Sequence, residues 1–405
     1  PRKSDVVFVL LVVPSLSVTV NRVAEELFGQ QRVSSLGILL EVSAVLSVLV
    51  FLVHYLLARY VLQNVLPKRK VVLCLSPIQG VRLITFLAQL GYARYLDFIS
   101  YHQVREVAGT DQLLEAAHLV VWSEEFSSNE EELQSILRSH LCGVPSVHHQ
   151  TLIDDLRGRV DLDHFNVWRF IANARPQTEL MRMSWRIKEW IEPILASIFL
   201  IILSPLVIGI GILIRISSRG PVIFRQVRVG HFGRPFTLYK FRTMSVDAEQ
   251  HGPQWSGIHD QRVTPFGRIL RATRLDELPQ LVNIIQGEMS FCGPRPERPE
   301  MYKLLERSVA EFSIRTLVRP GITGWAQIQA GYAASILESK KKLEYDLFYM
   351  QNMSPRFDLV ILLYTLIHVV GYRVPQERAA LQEGKHWISS ALASSGLVAP
   401  SGGLK

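Results

Sequence analysis

The hydrophobic residues of this chain gather in a few long runs, and two of these predict helices in a membrane. Residues 34–57 form a run of 24 residues whose only acid is Glu41. At ~1.5 Å per residue it is long enough to cross a hydrocarbon core of ~30 Å. Residues 6–20 are shorter and include Pro14, which indicates a truncated or kinked span. Basic residues flank the pair, favouring a hairpin with both ends cytoplasmic; two buried core helices are the alternative.

A third apolar run, residues 194–216, is interrupted near its middle by Ser204 and Pro205. Basic residues stand at both of its ends, so a straight span would place one group on the outer face. Pro205 breaks the helix, and Ser204 can bond a carbonyl that the break frees. Each arm of ~10 residues reaches ~15 Å, about half of the core. The pattern predicts a re-entrant hairpin on the cytoplasmic side; a Pro-kinked full span is the alternative.

Between the second and third runs, short apolar strands alternate with helical stretches. The predicted strands are residues 71–75, 118–122 and 144–147, and the predicted helices are residues 80–90 and 130–140. This alternation is typical of a small parallel α/β domain. The turn after the first strand lacks the glycine-rich phosphate fingerprint, so a packing or regulatory role is favoured over dinucleotide binding.

The whole chain is therefore predicted to be an α/β membrane protein. Its predicted parts are transmembrane helices (1–66), a Rossmann-like α/β domain (67–180), a re-entrant membrane hairpin (181–219), an α/β catalytic domain (220–375) and a tail (376–405). Residues 358–370 predict a helix docked in the interface or the core. Residues 391–405 are rich in Ala, Ser and Gly and predict disorder. The chain begins with Pro1, so we expect that further N-terminal sequence is missing.

The net charge of +8 suits several kinds of anionic partner, and the positions of the basic residues indicate which of them is favoured. Residues 215–242 contain seven basic residues and no acid, and residues 261–275 contain four arginines and no acid. Both stretches follow the re-entrant run, which predicts contact with lipid headgroups and with phosphate rather than with nucleic acid. The three cysteines, Cys74, Cys142 and Cys292, share no metal-ligand spacing and predict reduced thiols.

Two adjacent carboxylates, Asp276 and Glu277, lie among these arginines. Thr273 is a plausible N-cap and Pro279 is tolerated only early in a helix, so the pair is predicted near a helix N-terminus. The amides and dipole of a helix N-terminus favour carboxylate and phosphate. Neighbouring side chains on a helix point ~100° apart, so one carboxylate can face a substrate while the other binds a metal. Such a pair suits phosphoryl transfer.

Eight motifs in order resemble those of the bacterial sugar transferases, the monotopic polyprenyl-phosphate phosphoglycosyl transferases. The resemblance extends over residues 186–373, and the membrane helices and α/β domain before it resemble the large exopolysaccharide-type subgroup, which includes undecaprenyl-phosphate glucose and galactose phosphotransferases. The motifs are LSP (203–205), GPVIFRQ (220–226), RVG (228–230), PFTLYKFRTM (235–244), LDELPQL (275–281), GPRPE (293–297), RPGITGWAQ (319–327) and KLEYDL (342–347).

The resemblance implies transfer of a sugar-1-phosphate from a UDP-sugar to undecaprenyl phosphate, with release of UMP. It assigns Asp276 as the nucleophile that forms a glycosyl-phosphoryl-aspartate, and Glu277, together with Asp276, as the ligands of Mg²⁺. Arg271 and Arg295 match arginines that hold phosphate. Lys240 and Arg242 lie in a motif at the same site. The implied location is the bacterial inner membrane, within the lipid bilayer, with the active site on the cytoplasmic face and a homodimer left open.

Two departures from the family pattern concern the hairpin rather than the acid pair. The usual Asp-Ser-Pro-Gly-Pro appears as Ser-Ser-Arg-Gly-Pro at residues 217–221, and only Glu189 or Glu192 can supply the usual acid early in the membrane helix. Two rival functions are a membrane phosphatase with the same aspartyl intermediate and a non-catalytic scaffold for polysaccharide assembly. The identity of the transferred sugar is left open.

Overall fold

The computed structural model describes six stretches of the chain. These are residues 68–101, 116–126, 130–174, 179–245, 260–330 and 335–369, together with Leu49, Leu52, Val53, Leu56, Leu114 and Ala248. The predicted membrane run 6–20, most of the run 34–57 and the predicted disordered tail lie outside the described residues. The chain divides into two compact units between His149 and Gln150.

The first unit contains a four-stranded parallel sheet in the order β2-β1-β3-β4. Its elements are β1 (Arg69–Cys74), α1 (Pro77–Gln89), β2 (Leu96–Ser100), β3 (Leu119–Trp122), α2 (Glu130–Leu141) and β4 (Ser146–His148), and α3 (His149–Arg157) follows at the border of the units. Val72, Cys74 and Val120 are fully buried in the core of this unit. The parallel α/β arrangement is confirmed. Strand β2 was not predicted, because it is an edge strand that is only partly buried and includes the polar Asp97.

In the second unit, α4 (Val167–Asn173) is followed by the helix pair α5 (Glu179–Ile202) and α6 (Ser204–Ser217). Among the described residues no single helix is long and apolar enough to cross a membrane. The segments Arg186–Ile202 and Ser204–Ser217 reach that length and composition together, with a bend of 63° between them. Pro205 occupies the first turn of α6, and the Ser204 hydroxyl donates to the Ile201 carbonyl at 2.7 Å. The helix breaks where predicted, and the Ser204 side chain bonds to a carbonyl beside the break, as predicted.

The rest of the second unit consists of short strands and helices. They are β5 (Ile223–Val229), β6 (Pro235–Phe241), α7 (Pro265–Ala272), a 3-10 helix (Leu275–Gln280), α8 (Leu281–Ile285), β7 (Ser290–Cys292), α9 (Pro299–Ser308), a second 3-10 helix (Ala310–Leu317), β8 (Gly321–Thr323), α10 (Trp325–Gln329), α11 (Ile336–Asn352) and α12 (Pro355–Val369). Strands β5 and β6 pair antiparallel, and β7 pairs with β8 in parallel. The helix predicted at residues 358–370 is present as α12.

Residues 150–174 pack within the second unit, although the sequence analysis placed them in the Rossmann-like domain. The indole N–H of Trp325 donates to the Gly158 carbonyl at 2.7 Å, and Arg159 pairs with Glu344 at 3.2 Å. Val160 joins the core that Leu343 and Leu347 of α11 help to form. Long-range contacts of this kind leave no periodic signal in the sequence.

Asn283 joins α8 to β6 and thereby fixes the 3-10 helix 275–280 beside that strand. Its side chain is fully buried and accepts a hydrogen bond from the Tyr239 amide at 3.2 Å. Its amide group donates to the Thr237 carbonyl and to Glu288, each at 2.7 Å. One side chain thus satisfies two backbone groups of β6 that the β5–β6 pairing does not satisfy.

We expect Asn283→Ala to lower the free energy of unfolding by about 2–3 kcal/mol, because it leaves buried backbone groups without partners. Thermal or denaturant unfolding of the purified protein measures this loss. Asn352→Ala is the matched control, since it removes a bond to the Phe348 carbonyl at a half-buried helix end. Equal stability of the two variants would contradict the role of Asn283.

Candidate active site

The acid pair follows a tight turn at the end of helix α7. Thr264 caps α7 by accepting a hydrogen bond from the Gly267 amide, and α7 ends at Ala272. Thr273 is the C-cap of that helix, and its hydroxyl donates to the Ile269 carbonyl at 2.8 Å. The prediction of Thr273 as an N-cap was therefore wrong, because the residue closes the preceding helix.

Arg274 makes the turn that follows. It has a left-handed backbone with φ of 59°, a conformation that costs a non-glycine residue energy and that recurs at functional sites. The 3-10 helix Leu275–Gln280 begins directly after it, with Asp276 and Glu277 in its first turn. The pair is thus close to a helix N-terminus as predicted, although the helix is 3-10 rather than α. Both acids are 7% exposed.

Glu277 is held by three cations from different elements. Its Oε1 atom lies 3.0 Å from Arg295 Nη2, 3.4 Å from Lys240 Nζ and 3.7 Å from Arg274 Nη1. Burial alone would raise the pKa of Glu277, but Arg295, Lys240 and Arg274 outweigh it and lower the pKa to about 2. Glu277 is therefore a carboxylate throughout the physiological range, and its charge is already compensated within the protein.

Asp276 is placed differently from its neighbour. Its Oδ1 atom is buried and has no hydrogen-bond partner within the described part of the chain. Burial and then the adjacent Glu277 charge raise the pKa of Asp276, against the opposing effect of Lys240, Arg295 and Arg271. A buried oxygen without a donor is costly, which makes this atom a candidate for contact with a ligand.

Lys240 and Arg271 border the acid pair from β6 and α7. Burial and then the charge of Arg295 lower the pKa of Lys240 to about 8, although Glu277 and Asp276 act in the opposite direction. Arg271 donates through Nε to the Thr243 hydroxyl at 2.9 Å, which fixes the guanidinium near Asp276. The structure thus brings two of the predicted phosphate-binding residues to the pair.

Arg242 contacts the end of α6 instead of the acid pair. Its Nη2 donates to the Ser218 carbonyl at 2.9 Å and to the Ser218 hydroxyl at 2.7 Å. These bonds join strand β6 to the helix that the sequence predicts in the membrane. The role of Arg242 in holding phosphate stays a prediction.

Arg295 lies on the Gly-Pro-Arg-Pro turn, residues 293–296, and reaches Glu277 from that separate segment. Besides Glu277, its guanidinium contacts Gln327 of α10, with Nη1 donating to Oε1 at 3.1 Å. The turn packs directly against the β8 strand, where a Cβ atom on Gly321 would collide with the Gly293 amide. Glycine at both positions permits this approach of two backbones, which fixes where Arg295 starts.

Sequence reasoning missed three side chains that arrange this site: Arg274, Gln327 and Asn283. Arg274 is one of several arginines close together in the sequence, and nothing there indicated that this one would pair with Glu277. Gln327 and Asn283 are uncharged, and their contacts join segments that are far apart in sequence. Three motifs, KFRTM, LDELPQL and RPGITGWAQ, could have pointed to these residues. Each motif contains or lies next to one of the residues or one of its partners.

The two acids fit a magnesium ion that also binds a diphosphate. Mg²⁺ in such sites takes one or two carboxylates and completes its shell with phosphate oxygens and water. Asp276 and Glu277 provide two carboxylates, and Asp276 Oδ1 is buried without a hydrogen-bond partner among the described residues. Within the same residues, no group of three or more His, Cys, Asp or Glu side chains could hold a metal on its own.

The two candidate acids of α5, Glu189 and Glu192, differ in their surroundings. Glu192 is buried, and its Oε1 accepts from the Ser290 hydroxyl at 2.7 Å and the Phe291 amide at 3.2 Å. Glu189 is exposed and lies 3.5 Å from Arg319. Glu192 therefore anchors α5 to β7, the strand that leads into the Gly-Pro-Arg-Pro turn.

A family of known sequences covers the part of the chain that contains the acid pair. The sequence profile of the family described as bacterial sugar transferase matches residues 183–372, which include the acid pair and all four of its cationic neighbours. A UDP-glucose:undecaprenyl-phosphate glucose-1-phosphate transferase of Caulobacter vibrioides is 36% identical over 201 residues, 48% of this chain and 74% of that protein. The chain belongs to the bacterial sugar transferase family.

Two longer relatives also match this bacterial sugar transferase. A UDP-N-acetylgalactosamine-undecaprenyl-phosphate N-acetylgalactosaminephosphotransferase of Aeromonas hydrophila is 37% identical over 231 residues, 57% of this chain and 53% of the relative. A UDP-glucose:undecaprenyl-phosphate glucose-1-phosphate transferase of Escherichia coli is 37% identical over 191 residues, 47% of this chain and 41% of the relative. The chain spans about half the length of the first of these relatives and about two fifths of the second.

We expect Glu277→Gln to lower the free energy of unfolding of this sugar transferase by about 3 kcal/mol, because it leaves three neighbouring cations without their shared counter-ion. The midpoint of thermal unfolding measures the loss. Glu306→Gln, which removes an exposed carboxylate bonded to Tyr302, is the matched control and should change stability by less than about 0.5 kcal/mol. A Glu277→Gln variant as stable as this control would show that the cluster does not depend on Glu277.

Proposed function

We propose that the chain transfers a sugar-1-phosphate from a UDP-sugar to undecaprenyl phosphate and releases UMP, with Asp276 as the nucleophile. One observation carries the proposal: Asp276 Oδ1 is buried without a hydrogen-bond partner in the described part of the chain, while Lys240, Arg271 and Arg295 surround it. The names of the Caulobacter, Aeromonas and E. coli relatives support the substrate class.

The reaction proceeds by two displacements at one phosphorus. In the first, an Asp276 oxygen bonds to the sugar-bearing phosphorus, the bond from that phosphorus to the UMP oxygen breaks, and UMP leaves with the electron pair. In the second, an oxygen of the lipid phosphate attacks the glycosyl-phosphoryl-aspartate and the Asp276–phosphorus bond breaks. Asp276 returns as a carboxylate, and the product is a polyprenyl diphosphate sugar.

The cations overcome the repulsion between a carboxylate and a diphosphate. Arg271 and Arg295 present planar guanidinium groups, which match phosphate oxygens in pairs, and Lys240 adds a compact charge. Glu277 forms ion pairs with Lys240 and Arg295 and thereby fixes their positions, while the charge of Arg271 is left to interact with phosphate. Asp276 and Glu277 are the residues that would hold Mg²⁺, which would supply further neutralisation of charge.

We also propose that the bent pair α5–α6 lies in the cytoplasmic leaflet of the bacterial inner membrane as a re-entrant hairpin. Large apolar side chains on the pair face outward, with Trp190, Ile201 and Ile216 each more than 70% exposed. Arg215 at the end of α6 donates to the Gly220 carbonyl, and Arg242 binds Ser218, so the basic residues gather where the chain leaves the hairpin. This arrangement would keep the acid pair at the depth of lipid phosphates.

The sugar is assigned only as a class. The relatives named above carry glucose in two cases and N-acetylgalactosamine in one, so the family accepts more than one hexose. Incubation of the purified chain with a panel of UDP-sugars, undecaprenyl phosphate and Mg²⁺, with UMP release as the readout, assigns the preferred donor. A phosphatase with the same intermediate would release free sugar-1-phosphate whether or not the lipid is present.

We expect Asp276→Asn to reduce UMP release at least about 100-fold, since the amide cannot serve as the nucleophile. Without the lipid acceptor, the wild-type protein should retain a labelled sugar phosphate on the peptide that contains Asp276, which mass spectrometry detects. Glu300→Gln, at an exposed acid in the first turn of α9, is the control and should keep full activity. Turnover near the wild-type rate in Asp276→Asn would exclude the assignment.

The re-entrant arrangement predicts that both ends of the bent pair are reached from the same side of the membrane. Single cysteines at its two ends, Arg186→Cys and Arg219→Cys, both at exposed residues, are introduced into a variant whose three native cysteines are replaced. Each should resist a membrane-impermeant thiol reagent applied to intact cells and react in inverted vesicles, as a cysteine at the exposed Arg307 of α9 should. Labelling of one end from outside would establish a full span instead.

A further inference from the structure

A second arginine forms a hydrogen bond to the backbone of the turn that contains Arg295. Arg315, in the 3-10 helix Ala310–Leu317, is 7% exposed. Its Nη2 donates to the main-chain carbonyl of Arg295 at 2.9 Å. This contact lies on the opposite end of Arg295 from its guanidinium, which bonds to Glu277 and Gln327. Arg295 is therefore fixed both at its backbone and at its charged tip.

Arg315 is itself tightly held. The same Nη2 atom forms an ion pair with Asp346 Oδ2 of α11 at 2.8 Å, in addition to its hydrogen bond to the Arg295 carbonyl. Nη1 lies 3.6 Å from Glu297, and the guanidinium stands 4.9 Å from the centre of the Phe312 ring. Burial raises the pKa of Asp346 to about 6 in spite of the opposing charges of Arg315 and Lys342. Two nearby carboxylates balance the charge of Arg315, so its influence on the site passes through the Arg295 backbone.

The neighbouring carbonyls of the turn are held in the same way. Arg228 of β5 donates to the Pro296 carbonyl at 3.0 Å, and the Val229 amide donates to the Glu297 carbonyl at 2.9 Å. Pro294 and Pro296 have fixed φ angles, and the proline after Arg295 restricts the ψ angle of Arg295. The remaining freedom of the Arg295 peptide is removed by the bond from Arg315. Three successive carbonyls thus have donors, and the middle of the turn cannot tilt.

We propose that Arg315 is a positioning residue for the transfer reaction, which sets the orientation of Arg295 through its carbonyl without touching the substrate. The inference rests on the proposed function, in which Arg295 holds the transferring phosphate. A positioning error of about 1 Å at such a group costs ~100-fold in rate. An arginine suits this position better than a lysine, because its two terminal nitrogens reach Arg295 and Asp346 from Nη2 and Glu297 from Nη1, which a single ammonium cannot do.

A double-mutant cycle tests the inference. We expect Arg315→Met to lower kcat for UMP release about 10- to 100-fold with a smaller change in KM, and Arg315→Lys to restore little of it. In an Arg295→Met background, Arg315→Met should reduce kcat by less than about threefold, because a residue that acts through Arg295 has nothing left to position. Arg307→Met, at an exposed arginine of α9, is the matched control and should keep wild-type kinetics. Losses that multiply in the double variant would overturn the inference.

Hydrogen exchange separates this inference from the proposed function. In Arg315→Met, the amides of Val229 and Gly321, which donate to the Glu297 and Pro294 carbonyls of the turn, should exchange at least about tenfold faster than in the wild-type protein, while those of β6 keep their rates. If no UDP-sugar yields UMP but this local increase is found, the proposed function fails and the positioning of the turn stands. If exchange at Val229 and Gly321 is unchanged, or rises equally throughout the second unit, the positioning role is refuted whatever the activity.

Discussion

The site depends on one buried carboxylate, Glu277, that holds cations from three separate parts of the fold. Lys240 comes from a strand, Arg274 from a left-handed turn and Arg295 from a glycine-proline turn, and all three meet at Glu277 Oε1. Without a shared anion, these charges would repel one another in a place where water screens them poorly. Because Glu277 compensates them, the neighbouring Asp276 is left as the acid with an unsatisfied oxygen. The adjacent acids therefore differ in role because their surroundings differ.

The surrounding elements serve to bring these charges to a common point. Asn283 joins the acid-bearing turn to the strand of Lys240, and Gly293 and Gly321 let the Arg295 turn approach β8. The proposed membrane hairpin joins the same framework through buried polar contacts. Glu192 of α5 accepts hydrogen bonds from β7, while Lys188 of α5 pairs with Asp358 of α12 at 2.7 Å. A change in the depth or tilt of α5 would therefore be transmitted to the strand from which the Arg295 turn begins.

The parts that could be predicted from sequence were those with local signals. Apolar alternation indicated the parallel sheet, Ser204-Pro205 indicated the helix break, and the density of arginines around Asp276 and Glu277 indicated the site. Predictions failed where a residue could serve either of two neighbouring elements, as Thr273 closes one helix instead of opening the next. Arg242 and Lys240 are two residues apart in one motif, yet one binds Ser218 and the other Glu277. Only tertiary packing decides between such alternatives.

The arrangement of arginines also bears on how the reaction is accelerated. Glu277, Arg295, Arg315 and Asp346 form a connected series in which anions and cations are joined by ion pairs and by the Arg295 backbone. Each arginine has its partners before a substrate arrives, so its ordering is accomplished during folding rather than during turnover. Donors that are already oriented need little reorganisation when charge develops on a transferring phosphoryl group. The stability of the buried ion pairs and the proposed rate of transfer are therefore two consequences of the same contacts.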